Sequence, residues 1–552
     1  MAAETRALPG NEFIHLDHLF DDLARAWVLT VGILIVLTYH EYGIIWDDEV
    51  QNEYGHKLLS YYLSGFRDHS AFEYQNLYLY GGAFDLLAAA LNRFSTLGEY
   101  ETRHLLGGFV GLTGIIGTWR LARRLGGERA GFFAVVLLTL VPDYYGHMMV
   151  NPKDIPFACG MIWTLHFACC TIDQLPKPRL RTVLALGLAL GLTLGTRIGA
   201  VLDGFYLVLV LGLYLVLLRS AGTSTAEVAR HAGRLVLSYL PALAVAYVVM
   251  GICWPWSWLA PANPLVALQV FSHFTWPNSV LAAGVLFKAS DPPAWYLPLM
   301  LAVKLPEAML VGLALATGYG VDRLVRWLYN REAGFTLDAT GLYRLQHIMV
   351  MLAALFPIGY FVLARPEVYN GIRHFLFVVP PLAVLAGLAS NQLWNHVGRK
   401  PRPVRRSVLS IFIAALVIQC WIMMELHPNQ YIYYNALVGG VRGANGKYEL
   451  DYWGTSIAQA AEELATYVRD ENGGKPIERT YKVLVCAHPA SAMYFLPKQF
   501  VLTRNIPEGD FFIGLTLSGC NNSVDGHQIF RVERFGVPLA VVKDRRSLKA
   551  PP

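Results

Sequence analysis

Long apolar segments recur along most of this chain, and they restrict its fold more than any other feature. Of its 552 residues, 55% are hydrophobic and only 15% are charged, whereas soluble domains carry about 25% charged residues. A helix that crosses a membrane needs about 20 predominantly apolar residues. The sequence therefore predicts an α-helical polytopic membrane protein.

The hydropathy pattern predicts about eleven transmembrane helices, at 27–45, 104–121, 130–147, 155–172, 182–196, 201–218, 234–253, 294–317, 346–363, 374–391 and 407–424. Lys and Arg cluster after the second, fourth, sixth, eighth and tenth of these spans. Because cytoplasmic loops carry an excess of Lys and Arg, this alternation predicts a cytoplasmic N-terminus. The connection after the first span then lies on the outer side.

That first outer loop, 46–103, is long, and we predict two interfacial helices in it, at 55–65 and 77–93. The second segment is short and contains Asp85. Counting it as a span would place the next basic cluster on the outer side. A helix lying along the membrane surface is the interpretation that agrees with the charge pattern.

The composition changes after the last predicted span, because residues 425–552 contain no further span and more charge. Alternating apolar residues at 481–485 indicate a strand, and helical spacing at 451–469 indicates an amphipathic helix. Cys486 and Cys520 lie here and can pair if the region is extracytoplasmic, although spacing alone does not decide this. We predict three parts: a cytoplasmic N-terminal tail at 1–26, a transmembrane domain at 27–424 and a small extracytoplasmic α/β domain at 425–552.

Three consecutive acids, Asp47, Asp48 and Glu49, follow the first span. Carboxylates near a bilayer edge are costly to desolvate, so they are rarely without a role. One of them can act as a general base on an incoming hydroxyl, and Glu49 can tune a neighbouring carboxylate by like-charge repulsion. The alternative interpretation is a solvated helix cap, a position where Asp is favoured.

A second acid occurs in the segment Asn151–Phe157, which is predicted on the same outer side. Asp154 can face the same cavity as Asp48, and two carboxylates there suit a base and an orienting partner. In the simpler interpretation, Lys153 and Asp154 cap the next helix and Pro156 occupies an early helical position.

Single basic residues on the predicted outer side run against the positive-inside trend. They are Arg197, in a tight turn, and Arg373 and His374, just before the tenth span. Guanidinium groups bind phosphate in a bidentate manner, so a lipid phosphate would be a natural ligand. The alternative is snorkelling to ordinary headgroups. Lys304 and Glu307 lie inside the eighth span, where they form either a functional pair or a pair that neutralises itself.

The order of these motifs resembles a known family. Asp48-Glu49 follows the first span, a long outer loop comes next, and Asn151–Phe157, Pro292–Pro298 and Arg373–Leu382 follow in turn. This order resembles the GT-C fold glycosyltransferases over about 27–424. Within that group it is similar to the dolichyl-phosphate-mannose-protein mannosyltransferase family and the related lipid A aminoarabinose transferases.

The resemblance implies an inverting transfer of a sugar from a polyprenyl-phosphate donor to a hydroxyl on a lipid, glycan or protein acceptor. It implies no nucleotide at the site. We also predict no metal or other cofactor, because the seven cysteines show no zinc-binding or redox spacing. Asp48 takes the place of the family's base, although the extra acid Asp47 leaves this assignment open by one position. Asp154 is the implied second acid and Arg373 an implied phosphate ligand.

The phosphate is expected to need further ligands, because this chain departs from the family pattern. The family often has a basic residue near the second interfacial helix, and the segment Glu73–Tyr80 has none. We therefore expect Tyr78, Tyr80 or an arginine elsewhere to hold the phosphate. The full predicted donor-phosphate set is Arg197, Arg373, His374, Tyr78, Tyr80 and Lys153.

A different class of function, a transporter or flippase of a lipid-linked substrate, would use the acids as proton relays. It would be supported by broken helices and internal repeats, and the sequence shows neither. The net charge of +5 gives no indication of nucleic acid, so the expected partners are donor, acceptor and membrane lipids. The family's protein mannosyltransferases carry a soluble module in mid-chain, and this sequence does not. We therefore expect a bacterial inner membrane with a periplasmic site, the alternative being the endoplasmic reticulum with a lumenal site.

Overall fold

The computed structural model describes residues 12–274, 276–330 and 338–548. Residues 1–11 of the predicted N-terminal tail therefore lie outside the described residues. The helices are α1 Glu12–Thr38, α2 Asp48–Leu63, α3 Ala83–Asn92, α4 Glu99–Thr139, α5 Pro142–Val150, α6 Asp154–Asp173, α7 Leu180–Leu194, α8 Val201–Ser220, α9 Thr225–Cys253, α10 Trp256–Leu259, α11 Asn263–Ser272, α12 Tyr296–Lys304, α13 Glu307–Asn330, α14 Ala339–Ala364, α15 Val379–Gly398, α16 Arg402–Leu426, α17 Gly440–Ala444, α18 Ser456–Glu471 and α19 Pro489–Met493. The strands are β1 Ser279–Ala282, β2 Val285–Lys288, β3 Tyr481–Cys486, β4 Phe500–Leu502, β5 Phe511–Leu515, β6 His527–Arg534 and β7 Val537–Asp544.

Within the described ranges, eight helices are long and apolar enough to cross a membrane. Two predicted spans correspond to helices outside that number: the first overlaps α1, and the fifth is the shorter α7. The second predicted span and the start of the third form the two arms of α4, which is one of the eight. The predicted fold class, a polytopic helical membrane protein with a small C-terminal α/β unit, is confirmed. The predicted span 294–317 consists of two helices, α12 and α13, because Pro306 cannot continue a helix.

The chain reverses direction in the middle of α4, at Gly127. Its backbone has φ 80° and ψ −177°, a conformation that only glycine adopts readily. The two arms then run antiparallel, and α5 continues the second arm back along the first, since the Tyr144 hydroxyl donates to the Gly111 carbonyl at 3.1 Å. The second arm and α5 therefore return the chain to the end of the bundle where α4 begins.

The loop after α1 forms two short helices, α2 and α3, close to the predicted interfacial helices 55–65 and 77–93. The start of α3 docks on two other elements through backbone hydrogen bonds, from Gly82 N–H to the Cys253 carbonyl and from Ala83 N–H to the Gly195 carbonyl, both 3.0 Å. A side chain at Gly81 would collide with the Gly195 carbonyl, because a Cβ there would lie 2.0 Å from its oxygen. The loop is therefore held against the bundle by close backbone contact.

A buried ion pair also fixes this loop to the bundle. Asp85 of α3 accepts from Arg103 of α4 at 2.6 Å, and both side chains are almost fully buried. Replacing Asp85 with Asn would leave the Arg103 charge buried without a counter-ion. We expect the free energy of unfolding to fall by about 3–5 kcal/mol, measured by thermal or denaturant unfolding in detergent.

The matched control for that substitution is Arg25→Gln, which removes an exposed pair between Arg25 and Asp22. Exposed pairs contribute about 0–1 kcal/mol, so this variant should unfold like the wild type. Equal effects of the two substitutions would contradict a stabilising role for the buried pair.

The C-terminal region folds into a five-stranded mixed sheet with strand order β4-β3-β5-β7-β6. β3 pairs in parallel with β4 and β5, whereas β7 pairs antiparallel with β5 and β6. The apolar face of α18 covers the sheet through Ile457, Leu464 and Val468. A disulfide joins Cys486, at the end of β3, to Cys520, after β5.

The segment between α16 and α18 does not pack with this sheet alone. Tyr431, Tyr433, Tyr452 and Trp453 are buried in the main core with residues of α5 and α15. The predicted helix 451–469 starts later, at Ser456, because the Asp451 carboxylate accepts from the backbone N–H groups of the next turn, at Gly454 (3.0 Å) and Thr455 (3.1 Å). The residues just before α18 are thereby held against the helical bundle.

Candidate active site

Five separate segments meet beside the start of α2 and carry nearly all the predicted site residues. They are the acids at 47–49, the turn before α6, the turn after α7, the loop between α14 and α15, and the segment before α18. The reversal at Gly127 and the docked α3 place these segments at one end of the bundle.

The turn before α6 is organised by Asn151. Its side-chain oxygen accepts from the backbone N–H groups of Lys153 (3.0 Å) and Asp154 (2.8 Å), and its amide nitrogen donates to the Asp154 carboxylate at 2.8 Å. Asn is favoured in such a turn because its short side chain bonds the backbone two or three residues on. This turn aims Asp154 at Arg197, whose Nη2 lies 2.8 Å from Asp154 Oδ1.

Arg373 lies beside this pair and is only 8% exposed. Its guanidinium stands over the rings of Tyr369 and Trp453, at 4.7 and 5.2 Å from the ring centroids, which is the geometry of a cation–π contact. Its Nη1 is 3.7 Å from the Asp47 carboxylate. Arg373 is therefore held between aromatic faces on one side and an acid on the other.

Arg197 and Arg373, with the acids Asp47 and Asp154 beside them, form what we call the cationic cluster. Two guanidinium donors of this cluster have no partner. The Nε groups of Arg197 and Arg373 are both buried, and neither makes a hydrogen bond with any residue in the described part of the chain. A buried donor without a partner costs about 1–3 kcal/mol. An anionic group that reached both arginines would satisfy these donors, since guanidinium groups pair readily with phosphate.

Lys153 extends the cluster toward α3. Its ammonium lies 4.1 Å from the centroid of the Tyr80 ring. Burial lowers the pKa of Lys153 to about 8, and the nearby charge of Asp47 opposes that shift. Lys153 thus carries its positive charge through the neutral range and loses it at mildly alkaline pH.

The three consecutive acids point in three directions. The Asp47 side chain is 48% exposed and faces Arg373. Asp48 is only 2% exposed; its carboxylate accepts from the Ile45 N–H at 3.0 Å. Glu49 points to the C-terminal region, where its carboxylate is 3.5 Å from the His488 ring.

The remaining predicted residues divide between the cluster and its surroundings. Tyr80 lies within the cluster beside Lys153. The His374 ring packs edge-on against Tyr369 with 4.5 Å between centroids. Tyr78 instead packs against Trp256 at 5.2 Å, outside the cationic cluster.

Several residues beside the cationic cluster were not predicted as site residues, above all Tyr452, Trp453 and His147. The His147 ring bridges Tyr452 and Asn151, with Nε2 2.9 Å from the Tyr452 hydroxyl and Nδ1 2.9 Å from the Asn151 amide. The signal in the sequence is the Asp-Tyr-Trp-Gly motif at 451–454, which lies far from the other motifs along the chain.

The predicted pairing of Lys304 with Glu307 is wrong. Lys304 is 3.3 Å from Asp143 of α5 and donates to the Tyr431 carbonyl at 2.7 Å. Glu307 accepts from the Ala436 N–H at 2.8 Å. The break at Pro306 separates α12 from α13 and turns the two side chains toward different neighbours.

Comparison with known proteins gives one family match and several structural likenesses. Residues 101–257 match the family model described as dolichyl-phosphate-mannose-protein mannosyltransferase. No curated protein matches the chain in sequence. The family resemblance predicted from the motif order is thereby confirmed for these residues, which include the Asn151 turn and Arg197.

Among solved structures, the chain is similar to ArnT from Cupriavidus metallidurans bound to undecaprenyl phosphate, with 14% identity, a TM-score of 0.45, and coverage of 96% of this chain and 99% of that one. It is also similar to the oligosaccharyltransferase AglB from Archaeoglobus fulgidus in complex with an inhibitory peptide and a dolichol-phosphate, with 12% identity, a TM-score of 0.45, and coverage of 89% and 69%. A third likeness is to the arabinofuranosyltransferase AftD from Mycobacteria, with 12% identity, a TM-score of 0.41, and coverage of 96% and 42%.

Proposed function

We propose that this chain, which carries the dolichyl-phosphate-mannose-protein mannosyltransferase match at residues 101–257, is an inverting membrane glycosyltransferase. It transfers a sugar from a polyprenyl-phosphate donor to a hydroxyl acceptor. The observation that carries the proposal is the pair of buried, unpartnered guanidinium donors of Arg197 and Arg373, which lie beside a reachable carboxylate. That arrangement offers a place for an anionic phosphate next to a base.

In the proposed reaction, a carboxylate takes the proton of the acceptor hydroxyl while the hydroxyl oxygen attacks the anomeric carbon of the donor sugar. The bond between that carbon and the phosphate oxygen breaks, and polyprenyl phosphate leaves with the electron pair. A general base must reach the proton it removes. We assign this role to Asp47, because its side chain is half exposed and faces the cations.

The buried Asp48, which the family resemblance implies as the base, is then a positioning residue. Its carboxylate accepts from the Ile45 N–H and fixes the turn that presents Asp47. Asp154 has a similar supporting role, because it holds the Arg197 guanidinium at 2.8 Å.

The phosphate of the donor would lie between Arg197, Arg373 and Lys153. Donors that are fixed before the reaction stabilise the charge that develops on the leaving phosphate. The Tyr80 ring packs against the Lys153 ammonium and lies beside the proposed phosphate position. Because phosphate is a good leaving group once its charge is stabilised, the reaction does not need a strong general acid.

We further propose that the site faces the outer side of a bacterial inner membrane, with residues 27–424 as the catalytic domain and 425–552 as an extracytoplasmic domain. The alternation of basic loops supports this orientation. The Cys486–Cys520 disulfide supports an oxidising compartment for the C-terminal domain. The contact between His488 and Glu49 brings that domain to the same end of the bundle as the site.

Donor affinity should depend on pH through Lys153. The lysine is charged below its pKa of about 8 and neutral above it, whereas the donor phosphodiester stays anionic throughout. We therefore expect kcat/KM for the donor to fall as pH rises through about 8, since kcat/KM reports groups of the free enzyme. The charges that face Lys153 are Asp47, Arg197, Asp85 and Asp154.

The control for this pH profile is Lys153→Arg, because a guanidinium keeps its charge over this range. Its profile should lose the alkaline fall. A fall that persists unchanged in the variant would assign the titration to another group.

The function is tested with purified protein in proteoliposomes that contain a polyprenyl-phosphate sugar and an extract of envelope glycolipids and glycans as acceptor. Mass spectrometry should detect both free polyprenyl phosphate and an acceptor that is heavier by one sugar. Movement of the intact lipid-linked sugar between leaflets, without either product, would contradict the proposal and favour a flippase.

A further inference from the structure

A cationic cavity lies at the end of the bundle opposite the candidate active site. It has a volume of about 840 Å³ and lies between the first arm of α4, the end of α6 and the starts of α7 and α14. We call it the basic cavity and define it by Arg120, Arg124, His166, Arg181, Tyr343 and Gln346. α6 separates it from the candidate active site, because this helix starts at Asp154, has 20 residues and is about 30 Å long.

Two arginines of the basic cavity are available to a ligand. Arg120 and Arg181 are exposed, and neither forms an ion pair or a side-chain hydrogen bond with the part of the protein that the structure describes. Arg124 is already neutralised, since its Nη2 is 2.6 Å from the Asp173 carboxylate and its Nε donates to Gln346 at 3.1 Å. The cavity therefore presents two uncompensated charges at its rim.

A buried histidine provides an independent indication of a ligand. His166 is only 8% exposed and lines the basic cavity. Its Nδ1 is buried and has no hydrogen-bond partner among the described residues, and its Nε2 has only the Cys170 thiol, at 3.7 Å. An unpartnered polar atom at this depth is costly unless a ligand satisfies it.

The position of the cavity identifies the kind of ligand. It is formed by the ends of membrane helices, and apolar Phe167 and Ala185 line it together with the arginines. Basic pockets between transmembrane helices bind the headgroups of anionic lipids. We propose that the basic cavity binds the phosphate group of an anionic phospholipid such as phosphatidylglycerol, at the membrane face opposite the candidate active site.

The proposal is independent of the sugar-transfer reaction and is tested by lipid retention. Native mass spectrometry of the full chain in detergent would compare bound phosphatidylglycerol with bound phosphatidylcholine. We expect the wild type to retain phosphatidylglycerol at least about tenfold better than phosphatidylcholine, given the gain per basic residue near an anionic lipid. The double variant Arg120→Gln/Arg181→Gln should lose that preference.

The matched control is Arg219→Gln/Arg234→Gln, which removes two exposed charges at the same end of the bundle. It should keep the preference, and an equal loss in both double variants would overturn the proposal. His166→Leu gives a second readout: phosphatidylglycerol retention should fall, while the unfolding temperature without lipid should not. A lower unfolding temperature with unchanged retention would show that His166 serves only packing.

Inorganic phosphate distinguishes the two sources of the same chemical group. If the lipid is the ligand, millimolar phosphate should displace phosphatidylglycerol only weakly from the wild type. If the wild type binds inorganic phosphate but shows no preference for phosphatidylglycerol, the lipid assignment is overturned and the cavity is a site for free phosphate.

Discussion

Replacing Asp47 with Asn should reduce sugar transfer by about 10²–10⁴-fold, the usual contribution of a positioned general base. The substitution keeps the size of the side chain and removes only its ability to take a proton. Donor binding should change little, because removing a charge 3.7 Å from Arg373 favours the anionic donor, whereas the accompanying fall in the pKa of Lys153 opposes it. The measurement is single-turnover release of polyprenyl phosphate from a saturated enzyme–donor complex in the presence of acceptor.

Two neighbouring substitutions serve as controls for Asp47. Glu49→Gln should be nearly as active as the wild type, since that side chain is exposed and points toward His488 rather than toward Arg373. Asp48→Asn can still accept from the Ile45 N–H, so we expect a smaller loss of activity than for Asp47→Asn. An inactive Asp48→Asn variant beside an active Asp47→Asn variant would make Asp48 the base, as the family resemblance implies.

Replacing Arg373 with Gln should raise the donor KM by about 10–100-fold, because a hydrogen bond to a charged group contributes about 1.5–3 kcal/mol. The rate of transfer should fall as well, since the same guanidinium stabilises the phosphate as it leaves. For Arg373→Lys, the donor KM and the transfer rate should lie between those of the wild type and of Arg373→Gln. Lysine keeps the charge but not the fork geometry that binds phosphate in a bidentate manner. Initial rates over a range of donor concentrations measure both parameters.

Arg365→Gln is the matched control for Arg373. It removes an arginine from the same loop, but Arg365 is exposed and lies at the end of α14 outside the cluster. Its kinetic parameters should equal those of the wild type. If Arg365→Gln and Arg373→Gln weaken donor use equally, the loop acts through its total charge and the proposed phosphate position is wrong.

Much of the architecture was predictable because it depends on local patterns. Runs of apolar residues predict the transmembrane helices, and alternation and helical spacing predict β3 and α18. The two short helices α2 and α3 follow from the segments that the sequence predicted as helical at 55–65 and 77–93. The predicted cations Arg197, Arg373 and Lys153 do lie together beside Asp154, as expected if all of them are at one membrane face.

The sequence by itself therefore determined the helical membrane fold, the C-terminal α/β unit and the grouping of Arg197, Arg373, Lys153 and Asp154 at one end of the bundle. Only the tertiary structure decided that Asp47 rather than Asp48 faces Arg373, that Lys304 pairs with Asp143 and that Trp453 forms a wall of the site. The physical reason is the separation along the chain between the residues that interact. Hydropathy and periodicity are properties of neighbouring residues, whereas the direction of one side chain and its partner 80 or more residues away depend on how the helices pack.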